Sequence, residues 1–155
     1  MIIPPQKLVD LGFSSENIDC SGLKLTLAEV YVTASQGVLG TDERILPEYR
    51  ALEPDHEGYF YLDKGAYVIR YNEYVKIPRD TIALAIPRSS LLRMGVTLFT
   101  AVWDPGYEGR GYGLLLVENP HGVKLQKGVQ VAQLVYIRME EESLKPYRGV
   151  YYGER

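Results

Sequence analysis

The chain reads as an all-β domain, a sandwich, jelly roll or barrel, and three features of the sequence say so. Short apolar runs with strand alternation recur from Gly22 to Ile137. Turn formers punctuate them, with 15 glycines and 9 prolines among 155 residues, and Pro78 and Pro87 close the runs before them because proline cannot donate to a ladder. Thirteen tyrosines stand against three phenylalanines and one tryptophan, a bias toward half-buried sheet positions. A chain of this length is most simply a single domain with a real core.

Taken in order, Pro5 to Leu11 is expected to form one short helix, with proline near its start and Gly12 as its stop. Gly22 to Val32 alternates as a strand, with a slip at Ala28-Glu29 that a bulge would explain. Thr33 to Gly58 is poorly periodic and reads as an irregular excursion holding one short strand. Tyr59 to Leu62, Asp63-Lys64-Gly65 and Ala66 to Arg70 read as strand, turn, strand. Tyr74 to Ile77 and Ile82 to Ile86 continue the series, followed by an apolar run from Val96 to Trp103. Gly113 to Val117, Val123 with Leu125, and Val129 to Ile137 complete the strands. Glu140 to Glu142 is a solvated linker, and the tail from Pro146 carries no amphipathic pattern.

Charge and composition exclude several functions. A net charge of −3 argues against a non-specific nucleic-acid binder. No apolar run approaches bilayer length and the first residues are not a signal peptide, so no membrane association and a cytoplasmic location are expected. Cys20 is the single cysteine and His56 and His121 the only histidines, which rules out an internal disulfide and a zinc centre of Cys and His ligands. Zinc-dependent deamination therefore has no basis here.

Chemistry-bearing residues concentrate between Pro87 and Gly109. Arg88, Ser89, Ser90 and Arg93 offer guanidinium forks and hydroxyl donors that suit phosphate oxygens. They equally suit a polar turn in which Ser89 or Ser90 caps a short helical segment. Asp104, in Asp-Pro-Gly-Tyr, is on its own a turn former whose carboxylate bonds to backbone two residues on. It is also a carboxylate placed to activate water. Tyr107 reads as a turn aromatic or as an exposed ring for a sugar. Gln133 shares a strand face with Val129 and Val131, and so is a structural amide or a ligand contact. Arg148 and Tyr151, in the Tyr-rich tail, belong to a floppy end or to an arm closing over a nucleotide.

The chain resembles the superfamily of dUTPases and dCTP deaminases, most closely the short archaeal-type dUTPases. The resemblance runs through Gly22-Leu23-Lys24-Leu25, Pro87 to Arg93, Val102 to Gly109, Gly128 to Leu134 and Tyr147 to Tyr151. It implies a distorted jelly-roll sandwich over residues 1–155, residues 143–155 forming an arm that orders on nucleotide binding. It implies a homotrimer with active sites at subunit interfaces, hydrolysing dUTP to dUMP and pyrophosphate with Mg²⁺ carried by the triphosphate. On the same footing Asp104 activates water and Tyr107 stacks on deoxyribose. Arg88, Ser89 and Ser90 hold phosphates, Gln133 faces the substrate and Arg148 belongs to the arm, while Arg93 completes a Ser-Ser-x-x-Arg pattern found in deaminases and archaeal dUTPases alike. Backbone groups between Gly95 and Asp104 would read the base.

The chain departs from the family at two places. Lys24 stands where the first motif usually carries aspartate, and the tail lacks the Gly-rich, Phe-containing arm of dUTPases. The deaminase branch needs a glutamate at the position of Leu116 and an arginine at that of Val102; both are apolar here. Glu118 lies two residues along the strand from Leu116, about 6.6 Å away. The expectation is therefore a dUTP diphosphatase, set against a dCTP deaminase or bifunctional enzyme and against a nucleotide-binding homologue without turnover.

Overall fold

A computed structural model describes residues 1–155. Its strands, in chain order, are β1 (Leu23–Thr33), β2 (Val38–Leu39), β3 (Arg44–Ile45), β4 (Tyr49–Ala51), β5 (Tyr59–Leu62), β6 (Gly65–Lys76), β7 (Thr81–Pro87), β8 (Val96–Phe99), β9 (Glu108–Val117), β10 (Val123–Gln126) and β11 (Gln130–Arg138). The one α-helix, α1, is the single turn Ser89–Arg93. The strands form a main sheet in the order β7-β11-β1-β6-β9-β8, with β4 added to β1, and the pairs β10-β5 and β2-β3. The all-β expectation holds.

β1 organises the sheet because its two halves pair with different partners. Leu23 to Thr26 lie against β11, while Leu27 to Tyr31 lie against β6. Register shifts at Leu25/Thr26 and Leu27/Glu29 make that change of partner possible, the second falling at the slip read from the sequence. Bulged backbone needs new hydrogen-bond partners. Glu73 supplies them, its carboxylate accepting the Thr26 N–H at 2.8 Å and the Thr26 hydroxyl at 2.6 Å. Asn72 donates to Thr26 Oγ1 and to the Leu27 carbonyl.

The core follows strand alternation. Leu23, Leu25, Leu27 and Val30 of β1 meet Ile69 and Tyr71 of β6, Leu115 of β9, and Leu134 and Tyr136 of β11, all fully buried. Each such aliphatic side chain contributes roughly 1.5–3 kcal/mol on leaving water. Phe60, Leu62 and Leu125 of the β5-β10 ribbon cover this core from outside the main sheet.

Several local expectations are corrected. Pro5–Leu11 is a 3₁₀ helix, closed as foreseen by Gly12 in the left-handed region at φ 90°. The excursion holds three short strands rather than one, β2 to β4. Tyr59–Leu62 does not fold back on the following strand but pairs with β10, a long-range partner that local turn chemistry cannot reveal. Tyr74 to Ile77 is not a separate strand; up to Lys76 it continues β6 past a bulge between Arg70 and Tyr74. β9 begins at Glu108 rather than Gly113, and β8 ends at Phe99 rather than running to Trp103. Neither Ser89 nor Ser90 caps α1: Arg88 holds the N-cap position, with no side-chain bond there.

Candidate active site

Asp104 sits in a turn made entirely by backbone. Trp103 exchanges N–H and C=O bonds with Ala83 of β7, both at 3.0 Å. The Tyr107 N–H closes on the Asp104 carbonyl at 3.0 Å, with Gly106 at φ 81°, the sign that the third residue of a type II turn demands. The Gly106 N–H and Tyr107 carbonyl then lock onto Ile77 at the end of β6. The local reading in which the aspartate side chain makes the turn is thereby overturned. No group of the chain bonds the Asp104 carboxylate, which is exposed at the wall of a cleft of about 590 Å³.

That cleft is mostly aromatic and apolar. Trp103, Tyr107, Tyr112 and Val68 line it from the sheet, Arg44, Leu46 and Tyr49 from the excursion, and Tyr147, Val150, Tyr151 and Glu154 from the tail. The expected exposure of Tyr107 is corrected: the ring is 9% exposed, set edge-on between Trp103 at 5.5 Å and Tyr147 at 5.4 Å. Burial first, and then the Glu154 carboxylate, push the Tyr107 hydroxyl up to about 12. It stays protonated across the physiological range.

The tail lies against its own chain. The Tyr147 N–H donates to the Pro105 carbonyl, Gly153 to Glu108, and Arg110 to the Glu154 carbonyl, so the chain end runs beside the start of β9. Gly106 and Gly109 leave the room this needs, since a Cβ at Gly109 would lie 3.2 Å from the Glu154 carbonyl oxygen. Tyr151 faces the cleft, with the Arg44 guanidinium 5.7 Å from its ring centre. Arg148 is exposed.

Arg88, Ser89, Ser90 and Arg93 do not line the cleft that holds Asp104. Ala83 marks the Trp103 bridge and Arg88 follows five residues along extended β7, about 16 Å away. Ser89, Ser90 and Arg93 are exposed. Arg88 is ion-paired to Asp19 and bonded to Gln130. The Asp19 carboxyl is held well below the usual carboxylate range, by the Gln130 amide first and then by the Cys20 N–H, with Arg88 adding to both.

Gln133 lies opposite Lys24 and Ile86 in the ladder. It is half-buried between buried Ala132 and Leu134, so it points to the outer face rather than an apolar core face. The bulge that separates Gln130 from Ala132 shifts the alternation expected from Val129 and Val131. Lys24 donates to the Glu16 carbonyl at 2.8 Å. Sequence reasoning passed over Asp19, Gln130 and Arg44. Asp19 stands shortly before the family's Gly-Leu motif with no pattern to mark it, and Arg44 lies in the aperiodic excursion.

The family model described as dCTP deaminase-like matches residues 5–139. The chain belongs to the dCTP deaminase-like family. Within this family, the chain is 44% identical over 143 residues to a probable deoxyuridine 5′-triphosphate nucleotidohydrolase of Aeropyrum pernix, covering 92% of this chain and 89% of the relative. A probable enzyme of the same name from Methanosarcina mazei is 42% identical over 97% of this chain and 89% of its own. The deoxyuridine 5′-triphosphate nucleotidohydrolase of Methanocaldococcus jannaschii is 36% identical over 92% of this chain and 91% of its own. The crystal structure of 2′-deoxycytidine 5′-triphosphate deaminase from Agrobacterium tumefaciens superposes with a TM-score of 0.67 at 19% identity. It matches 90% of this chain, which spans about half, 49%, of that protein's length, and the likeness is one of fold.

Within the dCTP deaminase-like fold, Leu116 lies on β9 between Thr97 and Ala66. Glu118 lies past the strand end, ion-paired to Lys64 at 2.9 Å.

Proposed function

We infer that this chain is a dUTP diphosphatase, converting dUTP to dUMP and pyrophosphate. The observation that carries the reading is the Asp104 carboxylate, unbonded at the wall of an aromatic cleft, in a chain 36–44% identical over nearly its full length to deoxyuridine triphosphate nucleotidohydrolases. Asp104 takes a proton from the water that attacks the triphosphate, a role needing an ionised, unpaired carboxylate. Magnesium enters with the substrate, on its phosphates, and spreads the charge that develops there.

Arg88, Ser89, Ser90 and Arg93 serve the phosphate chain in this reading, and Tyr107, Gln133, Arg148 and Tyr151 the rest of the nucleotide. Their separation from Asp104 within one chain favours a site completed by a second subunit of a homotrimer. An apolar patch continuous with the cleft supports this: Phe99 and Leu114, paired across β8 and β9, are 56% and 42% exposed. No helix is long and apolar enough to cross a membrane, and the reaction belongs to the cytoplasmic nucleotide pool.

Asp104→Asn should lower pyrophosphate release from Mg–dUTP by about 10²–10⁴-fold while nucleotide binding persists. Wild-type turnover in that variant would sink the assignment. Deamination is disfavoured by apolar Leu116, so dCTP incubated with the protein should keep its cytosine absorbance.

A further inference from the structure

Arg88 is already held before any ligand arrives. Its Nη1 donates to Asp19 Oδ2 and, at 3.0 Å, to Gln130 Oε1. Gln130 closes the triangle by donating from Nε2 to the same Asp19 oxygen at 2.8 Å. Asp19 is itself fixed: its Oδ1 accepts the Cys20 N–H at 2.8 Å, and its own N–H donates to the Gly22 carbonyl at 2.9 Å. Behind it, Lys24 staples the preceding 3₁₀ turn through the Glu16 carbonyl. Segments distant in sequence thus converge on one guanidinium nitrogen.

The pattern of donors matters more than the charge. A guanidinium carries five N–H donors in a rigid plane. Here both protein bonds leave from Nη1, while Nε and Nη2 have no partner within the chain. The Arg88 side chain is 37% exposed against 16% for Asp19, so the guanidinium keeps access to solvent while its partner is largely covered. The free Nε–Nη2 edge presents two parallel N–H groups, the geometry that takes two phosphate oxygens at once. Asp19 offsets much of the arginine's net charge, so what this arrangement supplies is direction.

We propose that Asp19 and Gln130 are positioning residues for the triphosphate, holding Arg88 by Nη1 so that its Nε–Nη2 edge meets two phosphate oxygens. This rests on the dUTP reading above. It also gives Lys24 a part: where the family's first motif usually has a carboxylate, this chain has a lysine that steadies the turn delivering Asp19.

The test is a double-mutant cycle on the intact protein. Affinities for α,β-imido-dUTP and for deoxyuridine are measured for wild type, Asp19→Ala, Arg88→Ala and the double variant. Each single change should weaken imido-dUTP binding by about tenfold or more, as loss of a charge-assisted bond does. Deoxyuridine binding should be unchanged, and the double variant should bind no more weakly than Arg88→Ala alone. Additive losses, or equal losses for the nucleoside, would overturn the proposal in favour of a purely structural bridge. Should Asp19→Ala fail to fold by circular dichroism, Gln130→Ala takes its place in the cycle: non-additive, triphosphate-specific losses support the proposal and additive ones overturn it. Wild-type protein that does not bind imido-dUTP would instead defeat the functional reading, before any variant is compared.

Discussion

Among single residues, the site depends on atoms that are missing as much as on those present. Gly106 allows the turn that aims Asp104, and Gly111 leaves room for the end of the Trp103 ring to approach β9 closely. A Cβ at Gly111 would stand 2.1 Å from the Trp103 ring, and its φ is ordinary, so the conflict is steric alone. Gly111→Ala should therefore cost about 1–3 kcal/mol, the usual cost of overpacking, and lower Tm by several degrees. The emission of the single tryptophan should move in the same variant, since the ring must tilt into the cleft. A variant with unchanged Tm and emission would show that Trp103 is held less tightly than its neighbours imply.

Of the elements, the tail is the one whose behaviour the sequence left open. Tyr147 carries it: the ring packs on Tyr107, and the hydroxyl accepts the Tyr151 N–H at 3.3 Å. An edge-to-face aromatic pair contributes about 0.5–1.5 kcal/mol beyond its buried area. Tyr147→Ala should accordingly raise the population of the undocked tail by roughly two- to tenfold. Trypsin cleavage after exposed Arg148, followed by mass spectrometry, reads that population directly. Unchanged cleavage would mean that the backbone bonds to Pro105, Glu108 and Arg110 hold the tail without the ring. The tail also walls the cleft through Val150 and Tyr151.

For the molecule as a whole, the proposed dUTP site draws on two groups that a single chain keeps apart. Asp104 and the Arg88 turn sit toward opposite ends of β7. If neighbouring subunits supply them, an Asp104→Asn chain and an Arg88→Ala chain are each inactive alone but complementary together. Co-refolded in equal amounts, they should recover up to about a quarter of wild-type turnover, the product of two one-in-two chances at each interface. Mixed oligomers confirmed by mass with no recovered turnover would place both groups in one chain's site.

Local pattern was enough for the strand-rich class, because alternation follows directly from which face of a strand meets the core. It also marked the bulge at Ala28-Glu29 and the residues of the Arg-Ser-Ser and Asp-Pro-Gly-Tyr turns. That the Asp104 carboxylate is free emerged only in three dimensions, since the N–H it would have bonded is taken by Ile77 of another segment. The same holds for Tyr107 covered by Tyr147 of the distant tail, Gln133 turned outward by a bulge, and Arg88 clasped by Asp19 and Gln130. Each of these depends on pairing across long sequence separations, where register is set by the packing of the entire sheet and local pattern is silent.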